Sequence, residues 1–181
     1  MAQFVPFAQG VEVNGRTVLS IVDGMGVFKR QALKILQDCG IGDPRPDGWH
    51  SQAAWLKGFE LIAERVGEAT LFNIGKSIPK NAVFPDGIDS LGKALAAIDV
   101  AYHANHRGGE IGKYQLIRAE ERAAKMICEN PYPCDFDRGI ITAMTDRFNP
   151  KGCSHKARVS HDVEEGCRKN GGDACVYWVR W

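Results

Sequence analysis

Apolar residues in the first hundred positions recur mostly at helical spacing. Phe28, Ala32, Ile35, Leu36 and Cys39 fall on one side of a helix, which Gly40 can close in a left-handed conformation. A second stripe of Trp55, Phe59, Ile62, Ala63 and Val66 follows Ser51, whose hydroxyl can accept from the free N–H groups of a first turn. A third helix is predicted from Glu68 to Ile78, stopped by Pro79. A fourth runs from Asp89 to Asn105, with Leu91, Leu95, Ile98 and Tyr102 facing inward. Residues 11–22 read as a strand or hairpin around Asn14-Gly15, and the proline- and glycine-rich stretch from Gly42 to Gly48 reads as a loop.

Beyond Arg107-Gly-Gly109 the pattern changes. Ile111–Ala119 and Arg122–Cys128 read as strands joined at Glu120-Glu121. After Pro131 and Pro133 a helix is predicted from Asp135 to Phe148, with Phe136, Ile140, Met144 and Phe148 on its apolar side; Asp135 and Asp137 suit the positive end of its dipole. His155–His161 and Cys175–Trp181 read as two final strands. This order predicts an α+β fold with a four- to five-stranded antiparallel sheet and helices mainly on one side. Residues 1–181 are expected to form a single domain, with a helical half over 1–109 and a strand-rich part over 110–181.

Composition narrows the function. A chain of 181 residues, 44% hydrophobic, can bury one core, and a net charge of +1 gives no electrostatic case for nucleic acid or an anionic membrane. No run approaches the about 20 apolar residues that a membrane span needs, and no secretory leader is evident, so a cytoplasmic location is expected. In that setting the six cysteines point to metal binding or burial rather than disulfides.

Cys167 and Cys175 flank a loop whose Asn170-Gly171-Gly172 can reverse the chain and bring the two sulfurs together. His161 and Glu164 lie just upstream, so several ligand-competent side chains crowd one segment; two buried thiols are the plain alternative. Cys134 follows Pro133 at a helix start, where the dipole favours a thiolate, which suits either a metal ligand or a reactive cysteine. Cys153 is a further loop candidate.

The stretches Asn130-Pro-Tyr-Pro-Cys-Asp-Phe-Asp-Arg-Gly139, His161-Asp162 and Cys167-Arg-Lys-Asn-Gly-Gly-Asp-Ala-Cys-Val-Tyr-Trp-Val-Arg-Trp181 together resemble the C-terminal half of the 4-vinyl reductase domain family, which also supplies sensor modules of phenol-responsive activators. The resemblance implies a zinc held by Cys134, Glu164, Cys167 and Cys175, with His161 and Cys153 as competing ligands. It implies a sensory domain that binds a small apolar or aromatic ligand. Haem or an iron–sulfur centre ranks behind zinc. An enzyme or cofactor protein of the 4-vinyl reductase type is one alternative function, and a trafficking adaptor is another.

The ligand pocket is expected between sheet and helices, among Trp55, Phe59, Ile98, Tyr102, His106, Tyr114 and Met126. His103 and His106, a turn apart, could face one ligand, although solvated side chains near a helix end are the plainer reading of the pair. Aromatic residues on the final strand suit core or a homodimer surface. No Walker loop, nucleophile elbow or c-type haem motif is present, and Asp23-Gly-Met-Gly resembles only a truncated dinucleotide turn.

Overall fold

The computed structural model describes residues 3–120, 122–150 and 157–181, the side chains of 118–120 excepted; Cys153 and the start of the strand predicted from His155 lie outside them. In chain order the elements are β1 (Glu12–Asn14), α1 (Gly15–Val18), α2 (Ser20–Gly24), α3 (Lys29–Asp38), β2 (Trp49–Ser51), α4 (Gln52–Arg65), α5 (Ala69–Asn81), α6 (Leu91–Ala104), β3 (His106–Arg107), β4 (Lys113–Glu120), β5 (Ala123–Glu129), α7 (Cys134–Arg147), β6 (Arg158–Asp162) and β7 (Cys175–Arg180). The architecture is α+β with antiparallel sheets. Strands β4-β5-β7-β6 form a four-stranded sheet, and β2-β1-β3 form a separate three-stranded one.

The middle of each helical stripe folds as its spacing predicts, whereas Phe28, expected to start the first one, lies ahead of α3 and is exposed. Ala32, Ile35 and Leu36 of α3 and Trp55, Phe59 and Ile62 of α4 are buried. Ser51 Oγ caps α4 by accepting from Ala54 N at 3.3 Å, and Gly40 is left-handed after α3. Pro79 does not stop α5. It sits in the last turn, where the lost N–H costs one hydrogen bond, and the helix runs on to Asn81.

The hairpin at Asn14-Gly15 does not form. Asn14 instead caps a short helix, its Oδ1 accepting from Arg16 N at 3.0 Å, and β1 pairs with β2 and β3, both distant in sequence. Glycine is needed at 15 for close approach rather than for a turn, since a Cβ there would stand 1.8 Å from Arg45 O.

Alternation along β5 and β7 sets one face of the larger sheet inward. Ala124, Met126 and Cys128 lie opposite Val179, Tyr177 and Cys175, and all six are buried. Helices α6 and α7 lie on this face: Tyr102 of α6 meets Tyr114 of β4 edge-on at 5.1 Å, and Tyr177 OH donates to Cys134 O at 2.7 Å. Helix α5 crosses α7 where Gly75 meets Gly139, so closely that a Cβ on Gly75 would stand 2.1 Å from Phe136 O. That crossing fixes where α7 presents its side chains to the interior.

Candidate functional site

Between the sheet and helices α4–α7 lies a cavity lined by aromatic and aliphatic carbon, with Trp55, Ile98, Tyr102, His106, Tyr114, Tyr132 and Phe136 among its walls. Its volume is ≈ 30 Å³. That is room for about one or two waters, against the roughly 300 Å³ or more of a usual ligand pocket. The open pocket expected from the sequence is therefore almost filled by its own walls. Of the seven residues assigned to it, Trp55, Ile98, Tyr102, His106 and Tyr114 line the cavity, whereas Phe59 and Met126 are fully buried without facing it. His103 is exposed, with Nδ1 3.0 Å from Asp99 O, so it shares no ligand with His106.

The polar atoms of the walls are largely turned onto one another. His106 Nδ1 lies 2.7 Å from Tyr102 O and must donate to it, which leaves Nε2 as an acceptor for the Tyr132 hydroxyl at 2.6 Å. Gln52 Nε2 donates to the same Tyr132 oxygen at 3.1 Å. Tyr102 OH donates to Ile111 O, and Tyr114 OH donates to Asp137 Oδ1 at 2.6 Å. Two fully buried atoms on α4, Trp55 Nε1 and Gln52 Oε1, have no hydrogen-bond partner.

Burial pushes the His106 imidazole down to about 4, so it is neutral at physiological pH. Because the folded value lies below the unfolded value of about 6.5, protons bind the unfolded chain first, and stability is lost as pH falls from about 6.5 towards 4. Asp137 opposes this: burial raises its carboxyl to about 6, against the pull of Arg168, so acid favours its folded form. The difference between wild type and His106→Asn isolates the histidine. In urea melts, the variant should gain about 2 kcal/mol relative to wild type between pH 7.5 and pH 5; parallel pH profiles would show that His106 is not buried neutral.

The second cluster is sulfur-rich. Cys134 at the start of α7 places Sγ 3.2 Å from Cys175 Sγ and 3.8 Å from Cys167 Sγ. With His161 of β6, their ligand atoms all lie within 4.8 Å of one another. His161 Nε2 is buried without a hydrogen-bond partner, while its ring stacks on Tyr177 at 4.7 Å. Glu164 is not in the cluster. It is exposed in the turn that follows β6, and His161, whose register partner is Tyr177, takes the fourth position. The Cys175 sulfur is held well down, against burial, by the Cys134 S–H and then by the neighbouring His161 ring and Arg168, while Cys134, as donor in that pair, is raised.

Sequence reasoning missed Arg168, which joins the two sites. It is only 2% exposed. Its Nε donates to Cys175 Sγ at 3.3 Å, its Nη1 to Asn130 O and Oδ1, and its Nη2 to Asp137 Oδ2. Asp137 holds Tyr114, and Asn130 Oδ1 accepts from Tyr132 N at 2.9 Å.

No protein-family model matches the sequence, and no curated protein matches it. Solved structures do. An H-NOX (haem nitric oxide/oxygen binding) protein from S. oneidensis in an Fe(II)NO ligation state superposes with a TM-score of 0.67 at 13% identity, over 92% of this chain and 98% of that one. A point mutant of T. tengcongensis H-NOX gives 0.63 at 12% identity, over 93% and 97%. The unliganded Fe(II) H-NOX protein from K. algicida gives 0.59 at 13%, over 92% and 95%.

These neighbours correct two expectations. The resemblance to the 4-vinyl reductase family does not hold, because the structural neighbours are H-NOX domains. The ranking of zinc ahead of haem is also overturned: neighbours are described by haem distortion and haem redox potential.

Haem itself can be tested against the residues present. His106 has suitable chemistry, being neutral with Nδ1 fixed by a carbonyl. The space does not fit. Trp55, Tyr132 and Phe136 have ring centroids 5.2–5.9 Å apart across the interior, and the cavity of ≈ 30 Å³ admits no macrocycle. Arg168, the one buried cation among the described residues, is already taken up by Asp137. At this level of identity the comparisons establish the fold: the chain is built as an H-NOX domain is, around an interior that its own side chains fill.

Proposed function

We propose that residues 1–181 form one sensory domain, in which a small apolar or aromatic molecule binds the interior cavity between the helical half and the sheet, without haem. The observation that carries this reading is a carbon-lined cavity whose hydroxyl and imidazole groups are already hydrogen-bonded within the protein, set in a fold one of whose neighbours is described with a small bound molecule, nitric oxide. Magnitude selects the ligand size. A diatomic gas has two heavy atoms and gains at most about 3 kcal/mol in a bare cavity, which is weaker than millimolar affinity. A molecule of ring size can reach useful affinity, and displacing wall side chains makes room for it. We also propose that Cys134, His161, Cys167 and Cys175 hold one thiolate-preferring metal ion, since three sulfurs and an imidazole make a soft donor set around a buried, unpartnered nitrogen.

The test uses the purified full chain. Phenol should raise its melting temperature with increasing concentration, as binding to the native state alone requires. Added haemin should give no stoichiometric Soret band. Metal analysis should find one bound ion per chain, lost in Cys175→Ser. A stoichiometric Soret band abolished by His106→Ala would replace this reading with haem-based gas sensing, and no response to either probe would return the adaptor reading.

A further inference from the structure

One residue of an irregular segment lies between the cavity and an outer groove. Between the end of α5 at Asn81 and the start of α6 at Leu91 the chain has no helix or strand, and Val83, Pro85, Asp86 and Gly87 are exposed. Phe84 is half-buried and lines two spaces at once: the interior cavity of ≈ 30 Å³ and an outer groove of ≈ 290 Å³ whose walls mix apolar Pro79, Ile88, Met144 and Phe148 with the charged Asp86 and Arg147. Phe84 is thus the wall between them.

The segment is pinned beside this wall by a single side chain. Asn105, only 2% exposed, donates from Nδ2 to Val83 O at 2.8 Å and accepts from Val83 N at Oδ1, 3.1 Å away. Its amide is itself fixed, to Ala101 O at 2.8 Å and to Thr17 Oγ1 at 3.1 Å. Such a clamp holds the backbone at 83 while leaving rotation at the next residue unopposed by any hydrogen bond.

We infer that Phe84 is the specificity-determining plug of the ligand site: one apolar, ring-sized ligand occupies the interior by turning the Phe84 ring out into the groove. This rests on the ligand-binding reading proposed above. It explains how a cavity far below the about 150 Å³ that holds benzene in an engineered apolar site could serve such a ligand. Hydrogen bonding plays no part in the plug itself, so ring volume sets its selectivity.

Benzene is the probe, titrated into the full chain carrying 13C-methyl methionine. Met144 lines the groove and not the cavity, so its methyl resonance reports where the Phe84 ring goes. In wild type, benzene should shift the Met144 signal. Affinity should rise at least tenfold in Phe84→Ala, rise less in Phe84→Leu, and fall at least tenfold in Phe84→Trp, each variant keeping the wild-type circular dichroism. Binding to wild type with no Met144 shift and equal affinity across the three variants would overturn the plug while leaving the ligand-binding reading intact. Absence of binding to both wild type and Phe84→Ala would overturn both.

Discussion

Arg168→Met should destabilise the domain by about 3–5 kcal/mol, the usual cost of removing one partner from a buried ion pair. The guanidinium is enclosed and its partner Asp137 is fully buried, so the variant strands a carboxylate with only Tyr114 and Asn130 as donors. Methionine keeps most of the side-chain length, which makes the loss electrostatic rather than a matter of volume. The double variant Arg168→Met, Asp137→Asn should recover more than half of the loss in urea denaturation, because a neutral amide no longer needs the cation. A single variant as stable as wild type would mean that Asp137 is already protonated in the folded protein.

The same pair links the two candidate sites. Arg168 touches the Cys175 sulfur, the carboxylate that holds Tyr114 and the asparagine that holds the Tyr132 backbone. A change in charge at the sulfur cluster therefore meets the cavity wall through one rigid guanidinium. Buried polar networks of this kind specify one arrangement of the groups they join, because each donor left over would cost desolvation energy.

How much of this was legible in the sequence depended on range. Helices α3, α4, α6 and α7 follow from stripes such as Trp55-Phe59-Ile62, since local periodicity and capping residues decide them. Cys134, Cys167 and Cys175 stood out because a proline-led helix start and a glycine-rich reversal are local features. Arg168 gave no such sign: beside Lys169 and Asn170 it reads as solvated, and its partner Asp137 lies 31 positions away on another element. Asp137 was readable only as a favourable charge in a first helical turn. Whether Glu164 or His161 joins the sulfurs was open in the sequence for a related reason, because the pleat of β6, set by its pairing with β7, carries His161 to the cluster and leaves Glu164 in the turn beyond.

The family resemblance failed for a further reason. It rested on the stretches around Cys134, His161 and Cys167–Trp181, which fix the corner between α7 and the β6–β7 pair. The match to H-NOX structures extends over 92–93% of the chain, and that arrangement depends on how the helical half crosses the sheet. Close crossings leave only a glycine as their mark. Gly75 and Gly139 sit in the middle of helices where alanine would be the better helix former, a local cost that signals a backbone contact to come.

That contact yields the second large effect. Gly139→Ala should destabilise the domain by about 3 kcal/mol or more, above the helix-propensity gain of roughly 1 kcal/mol that alanine brings. Its Cβ would stand 2.2 Å from Phe72 O, and the obstructing atom is backbone, so no side-chain rotation relieves it. Helices α5 and α7 must move apart. Because Ile78 rides on α5 and Phe136 and Ile140 on α7, the movement opens the cavity they line, and the variant should bind phenol differently as well as melt earlier. Gly92→Ala serves as the control. Gly92 lies in α6 with nothing within 4 Å of a Cβ, so the same chemical change there should stabilise by about 0.5–1 kcal/mol. If urea melts place Gly139→Ala within about 0.5 kcal/mol of wild type, the two helices do not cross at that distance, and the cavity walls set by the crossing would have to be redrawn.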